Sequence, residues 1–330
     1  MLETVPEWHT IVLRRINMNR WIFLAILIFA ALLSGCGGKK QVIVFHADAL
    51  TVPVANIIRE YQALHPDVQI VVENYGSKIC VDLAKSRDCD ILMVADARLI
   101  TQMQPEWTDW NAIFATNEMV IAYAQKSKYS AEINADNWYR ILTRPDVRFV
   151  HADPQTDPCG YWTLILWGLA DLHYNDTIDG KPIAEALAAA RTPDSIKIDA
   201  HQMLKLVDSP SGIDYAFVYK SQAVEQNLQI VELPREINLS DNTLADLYAK
   251  VSLAPPLSRS GAPIAFSATL LKKAPHRQEA IDFLQFMMGP RGRALLRGNQ
   301  AAAAFNVVHP AIVDHPEKVP AELLEVFTVK

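Results

Sequence analysis

Residues Asp153 to Tyr161 read Asp-Pro-Gln-Thr-Asp-Pro-Cys-Gly-Tyr, and they separate a short strand-like run, Val147–Val150, from a long apolar helical pattern, Trp162–Leu172. Asp is a favoured N-cap and Pro a favoured first helical residue, because the first N–H groups of a helix have no partner inside it. Those N–H groups and the positive end of the helix dipole attract anions. The carboxylate of Asp157 needs a separate reason to be there, since it repels an anion's oxygens. Three more segments end strands in small or polar residues: Phe45–Pro53, Asn74–Ser77 and Tyr215–Ser221. Ser77, after Gly76 at a helix start, offers a hydroxyl that serves equally as a plain cap.

The elements that must carry these turns alternate. Strand patterns over Gln41–Phe45, Val68–Val72 and Asp90–Ala95 interleave with helical patterns over Val54–Leu64, Ser77–Lys85 and Ala97–Met103. This order predicts a parallel sheet covered by helices. The apolar run Phe114–Ala124 then crosses to a second α/β set: helix Trp138–Thr143, strand Val147–Val150, the helix after Pro158, strand Ser195–Asp199, helix His201–Val207, strand Tyr215–Tyr219 and strand Leu228–Leu233. Ile264–Leu271 returns the chain as a strand, and His276–Met288 is an amphipathic helix broken at Gly289–Gly292. The expected fold is therefore α/β with two lobes, each a mixed or mostly parallel sheet flanked by helices. Residues 41–121 with 264–330 form lobe I and residues 122–263 form lobe II. Ligands of such folds bind outside the carboxyl ends of the strands, in a crevice between lobes.

With 330 residues and half of them hydrophobic, the chain can bury a sizeable core. The formal net charge of −6 argues against a general nucleic-acid binder. Residues 1–35 read as a signal peptide, with Met18 as the functional start, a basic Met18-Asn19-Arg20, an apolar stretch Trp21–Leu33 and the lipobox-like Leu33-Ser34-Gly35-Cys36. Cys36 is then the lipidated first residue, on the periplasmic side or the outer cell surface. Cys80, Cys89 and Cys159 remain, an odd number in an oxidising compartment, so a Cys80–Cys89 bridge and buried free thiols both stay open. Trp107, Trp110, Trp138, Trp162 and Trp167 read as core packing rather than a sugar platform. No Gly-X-Ser-X-Gly elbow is present, so no catalytic residue is named and no enzyme is expected.

Several short pieces, in this order, resemble the tungstate-type branch of the molybdate/tungstate-binding proteins of ABC importers. They are Val44–Ala47, Gly76-Ser77, Phe114–Val120, Asn137–Tyr139, Arg144–Val147, Asp157–Tyr161 and Asp214–Phe217. The resemblance implies a two-lobe receptor of the class II periplasmic-binding-protein type. Such a receptor closes on one oxyanion and delivers it to a permease and its ATPase, with no cofactor besides the lipid and as a monomer. It also supplies a reason for Asp157: in this branch two carboxylates approach the metal at the centre of the oxyanion, so Asp157 is a candidate ligand of molybdenum or tungsten, with Asp153 second. Carried over residue by residue, the ligand set is Ala49, Ser77, Asp157, Cys159, Gly160, Val218 and Tyr219, the contacts near Ala49, Cys159 and Gly160 being backbone N–H groups. The chain departs from the pattern twice. The first turn reads His46-Ala47-Asp48-Ala49-Leu50 instead of His-Ala-Gly-Ser-Leu, and Val218 stands where a Glu is usual. Asp48 is a possible replacement carboxylate, while His46 reads as a structural residue. The departures keep alternatives open: another oxyanion, a cation held by Asp48, Asp157, His46 and cysteines, or a surface interaction or sensor lipoprotein.

Overall fold

The computed structural model describes residues 39–197, 200–207, 209–210, 212–298 and 305–327. The expected signal peptide, residues 1–35, and the expected lipidation site Cys36 lie outside the described residues. Among the described residues no helix is long and apolar enough to cross a membrane. Residues Gln41–Lys330 fall in a single compact unit.

The alternation read from the sequence is present. β1 (Lys40–Ala47), α1 (Thr51–Leu64), β2 (Val68–Tyr75), α2 (Ser77–Ser86), β3 (Ile91–Val94) and α3 (Ala97–Thr101) come first, followed by β4 (Ala112–Thr116) and β5 (Met119–Tyr123). Then come α4 (Trp138–Leu142), β6 (Phe149–Ala152), α5 (Pro158–Tyr174), α6 (Ile183–Ala190), β7 (Ile196–Lys197), α7 (Ala200–Val207), β8 (Tyr215–Tyr219), α8 (Lys220–Glu225) and β9 (Gln229–Glu232). The chain ends in β10 (Ala265–Leu270), α9 (Arg277–Met288), α10 (Pro290–Arg297), β11 (Asn306–Val313) and α11 (Ala321–Phe327).

Two sheets result, ordered β11-β4-β10-β3-β1-β2 and β9-β5-β8-β6-β7. Both are mixed rather than parallel. β1 pairs β3 in parallel, but β10 runs antiparallel to β3 and β4, and β11 antiparallel to β4. In the second sheet β8 is parallel to β6 and antiparallel to β5. The antiparallel pairs arise where the chain passes between sheets. β4 lies in the first sheet and β5 in the second, so the change falls at Asn117-Glu118. The lobe boundary expected after residue 121 cuts through β5; register with β8 (Ile121 opposite Phe217) holds that strand in the second sheet.

α5 shows why its sequence is helical. The Asp157 side chain accepts the Cys159 N–H, Pro158 occupies the first turn, and Asn175 closes the helix in the left-handed region at φ 46°. Asn tolerates that region better than most residues. α5 is buried almost all round, and Trp162 and Trp167 are core residues, 0% and 2% exposed. Trp167 meets Phe149 and Phe217 edge-on, fastening α5 to β6 and β8.

Candidate ligand-binding site

The strand-to-helix turns converge. Asp48 opens a 3-10 turn directly after β1 and is 4% exposed. Ser77 begins α2, and Asp157 caps α5; both are 1% exposed. Gly76 allows the last two to meet: a Cβ there would lie 2.4 Å from the Thr156 carbonyl oxygen. The Lys78 N–H donates to that same oxygen at 3.3 Å. Gly160 is equally tight, since its Cβ would lie 2.4 Å from the Ala152 carbonyl oxygen. Two helix N-termini, of α2 and α5, are thus drawn together, each contributing the positive end of its dipole.

The electrostatics locate the remaining groups. Burial, with the charges of Asp48 and Asp157 added, pushes the Cys80 thiol up to about 12. The Cys159 thiol is driven well above its ordinary range by burial and then by the same two carboxylates. Both carboxylates thus act electrostatically on both thiols. The Tyr219 phenol is also raised well above its usual range, by burial first and then by Cys159 and Asp157. Tyr219 is fully buried, its ring edge-on to Phe266 at 5.4 Å, and its hydroxyl has no hydrogen-bond partner among the described residues. Ser77 Oγ accepts the Ala95 N–H at 3.0 Å, an arrangement that leaves its own hydrogen to donate.

Other expected members are placed differently. The Cys159 N–H is taken by Asp157 Oδ1 at 2.8 Å, and the Gly160 N–H by the Asp157 carbonyl at 3.0 Å. These two backbone donors serve the cap. Asp153 is half-buried and shapes the turn, its Oδ1 accepting the Gln155 N–H at 2.8 Å. Asp157, not Asp153, is the deeply buried acid. Ala49 is buried beside Asp48. Val218 packs in an apolar cluster with Val120, Val150, Met203 and Leu204, whereas its neighbours Phe217 and Tyr219 belong to the main core. Alternation along β8 separates them. Cys80, Cys89 and Cys159 are all free and buried, so the Cys80–Cys89 bridge is not formed. The cation alternative also lacks a geometry: among the described residues no group of three or more His, Cys, Asp or Glu side chains could hold a metal ion.

Two features escaped the sequence reading. One is a strut: the Tyr161 hydroxyl on α5 donates to Asp96 Oδ2 at 2.7 Å, both groups buried. Asp96, at the end of β3, is also held by Arg98, whose guanidinium stacks over the Trp162 ring at 4.7 Å. The other is a duplicated turn. His46–Pro53 and His151–Pro158 carry His, Ala, Asp, Thr and Pro at the same five places. The structures agree as well: His46 Nδ1 lies 2.8 Å from the Ala47 carbonyl and His151 Nδ1 2.7 Å from that of Ala152. Thr51 and Thr156 each donate to the carbonyl of the Asp three residues earlier. Comparing the two strand ends with each other would have revealed it; the search for solenoid-type repeats does not.

Buried helix N-termini and hydroxyls at strand carboxyl ends of the two sheets form an arrangement suited to a small ligand. Residues 42–299 match the family described as bacterial extracellular solute-binding protein, and the chain belongs to it. That is a family of binding rather than catalytic proteins. Among its relatives, the molybdate/tungstate-binding protein WtpA of Pyrococcus abyssi is 38% identical, covering 86% of this chain and 92% of that protein. An uncharacterized solute-binding protein of Petrotoga mobilis is 35% identical over 91% of this chain and 94% of its own length. The periplasmic molybdate-binding protein of Azotobacter vinelandii has the same fold at a TM-score of 0.56 and 15% identity, over 82% of this chain and 99% of that one. The expected two-lobe binding-protein fold is therefore correct.

Proposed function

We propose that this chain captures molybdate or tungstate at the cell envelope and delivers it to an ABC permease and its ATPase. The observation that carries the reading is the convergence of Ser77, Asp157 and Tyr219 at the N-termini of α2 and α5. Hydroxyl and backbone donors hold a dianion without a cationic side chain, in keeping with the acidic composition. Asp157 approaches the metal centre rather than the oxygens, which gives its burial in an anion site a purpose. The similarity to WtpA supports the choice of ligand. Lipid attachment through Cys36, a monomeric state, absence of a resident cofactor and absence of catalysis belong to the same proposal.

Thermal unfolding with tungstate, molybdate and sulfate tests it. A ligand at a hundred times its Kd stabilises the folded state by about 2.7 kcal/mol. Tungstate and molybdate are expected to raise the melting temperature and sulfate to leave it unchanged. No shift with millimolar tungstate or molybdate would reject the assignment.

A further inference from the structure

A cavity of about 280 Å³ lies at the end of the first sheet opposite the candidate ligand site. Its lining includes Lys85 at the end of α2, Asp88 just before β3, Leu271 and Lys273 just after β10, and Glu106 and Trp107 from the loop before β4. Two backbone bonds hold these pieces together: the Leu271 N–H donates to the Asp90 carbonyl and the Lys272 N–H to the Trp107 carbonyl, both at 2.9 Å. Trp107 is half-buried and packs on the apolar cluster that contains Cys89 and Leu271. Of the cations around the cavity, Arg87 is paired with Glu73 and Lys272 with Asp109. Lys85 and Lys273 are exposed and make no ion pair among the described residues.

The start of β1 lies at the same end of the sheet. β1 and β3 are parallel with Val44 opposite Ile91, which sets Gln41 level with Asp88. Cys36 precedes Gln41 by five residues, and five residues of chain reach at most about 18 Å. A lipid on Cys36 therefore keeps this end of the sheet within that reach of the bilayer. An indole is favoured at headgroup depth, because its body is apolar and its N–H is polar. A Lys ammonium reaches a phosphate while its stem lies along apolar surface. Resting on the lipid attachment proposed above, we infer that this end of the first sheet docks on the phospholipid bilayer, with Lys85 and Lys273 on lipid phosphates and the Trp107 indole among the headgroups. Asp88 and Glu106 hold down the net charge of the rim, so the contact follows the phosphate rather than the net charge of the lipid, and the tether supplies the high effective concentration that a weak contact needs. The candidate ligand site stands at the other ends of β1 and β3, about 20 Å along the strands. Docking thus keeps an anion site clear of the bilayer's own phosphates.

The processed, lipid-bearing protein is to be reconstituted into phosphatidylcholine vesicles with acyl chains brominated near the headgroup, and its tryptophan emission compared with that in unbrominated vesicles. Trp8 and Trp21 precede Cys36 and leave with the signal peptide. Trp110, Trp138, Trp162 and Trp167 are at most 2% exposed, which leaves Trp107 within reach of bromine. The expected result is a quenched component that vanishes in Trp107→Phe and falls by about half or more in the double variant Lys85→Glu, Lys273→Glu, where two cations beside the phosphates become two anions. Equal emission in the two kinds of vesicle would overturn the inference, and that comparison depends on no variant. Quenching unchanged in the double variant would overturn the part given to the lysines. Mass spectrometry of the N-terminal peptide separates the two readings: a protein without lipid strikes the proposed attachment at Cys36, whereas a lipid-bearing protein without quenching strikes the docking alone.

Discussion

Tyr219→Phe separates a ligand-binding hydroxyl from an ordinary core ring. The substitution removes one oxygen and keeps the ring, with its edge-on contact to Phe266 at 5.4 Å. A buried hydroxyl without a partner costs about 1–3 kcal/mol, and that of Tyr219 has none among the described residues. Ligand-free stability should therefore stay level or rise by up to that amount. A hydrogen bond from the same hydroxyl to a charged ligand contributes about 1.5–3 kcal/mol, so tungstate affinity should fall roughly 10- to 150-fold. Urea unfolding without ligand gives the first quantity, provided the slope is unchanged; calorimetric titration gives the second. The opposite signs are the diagnostic, because a packing defect lowers both. Lower ligand-free stability with unaltered tungstate affinity would refute the assignment of Tyr219 to the site.

Three other perturbations test other parts of the structure. Gly76→Ala sets a methyl group 2.4 Å from the Thr156 carbonyl; forcing α2 away from the α5 turn should weaken tungstate binding by at least about tenfold, a cost of roughly 1.4 kcal/mol, read by calorimetry. Tyr161→Phe removes the 2.7 Å bond to Asp96 and should cost about 1.5–3 kcal/mol in urea unfolding of the ligand-bound protein, as for a hydrogen bond to a charged group. Burial lowers His46 and His151 from 6.5 to about 4, so the unfolded chain binds their protons first as pH falls. Their contribution is fully present above pH 6.5 and is lost toward pH 4, about 3 kcal/mol for each; unfolding curves across that range should show the loss, and His151→Gln should halve it.

Periodicity made most elements legible: β8 matches its expected span, Tyr215–Tyr219, and α1 begins three residues ahead of its expected start at Val54. Strand direction was not legible, because alternation reads the same both ways; the antiparallel returns of β10 and β11 come from where the chain crosses between sheets. Asp157 was legible as a cap because cap chemistry is local: an Asp before a Pro at a strand-to-helix junction readily takes the first N–H groups of the helix. The Cys159 and Gly160 N–H groups were misjudged for the same reason, since the cap that marks the turn also consumes its donors. Val218 entered the ligand set because the family resemblance puts a Glu at its position, and the pleat sets it in the cluster of Met203 and Leu204. The partnership of Tyr161 with Asp96 joins residues 65 apart in the chain, and no local pattern encodes it.

The duplicated turn divides the cleft into frame and variable positions. His46, Ala47, Asp48, Thr51 and Pro53 repeat as His151, Ala152, Asp153, Thr156 and Pro158, with the same imidazole-to-carbonyl and hydroxyl-to-carbonyl bonds in both copies. At the places that differ, Ala49 stands against Pro154, Leu50 against Gln155 and Val52 against Asp157, and the last of these sets a buried carboxylate against an apolar side chain. A library confined to these pairs would vary what the receptor recognises while sparing the bonds that shape it. Selectivity in this molecule is therefore open to stepwise redesign, one wall at a time, with the opposite wall as an internal reference.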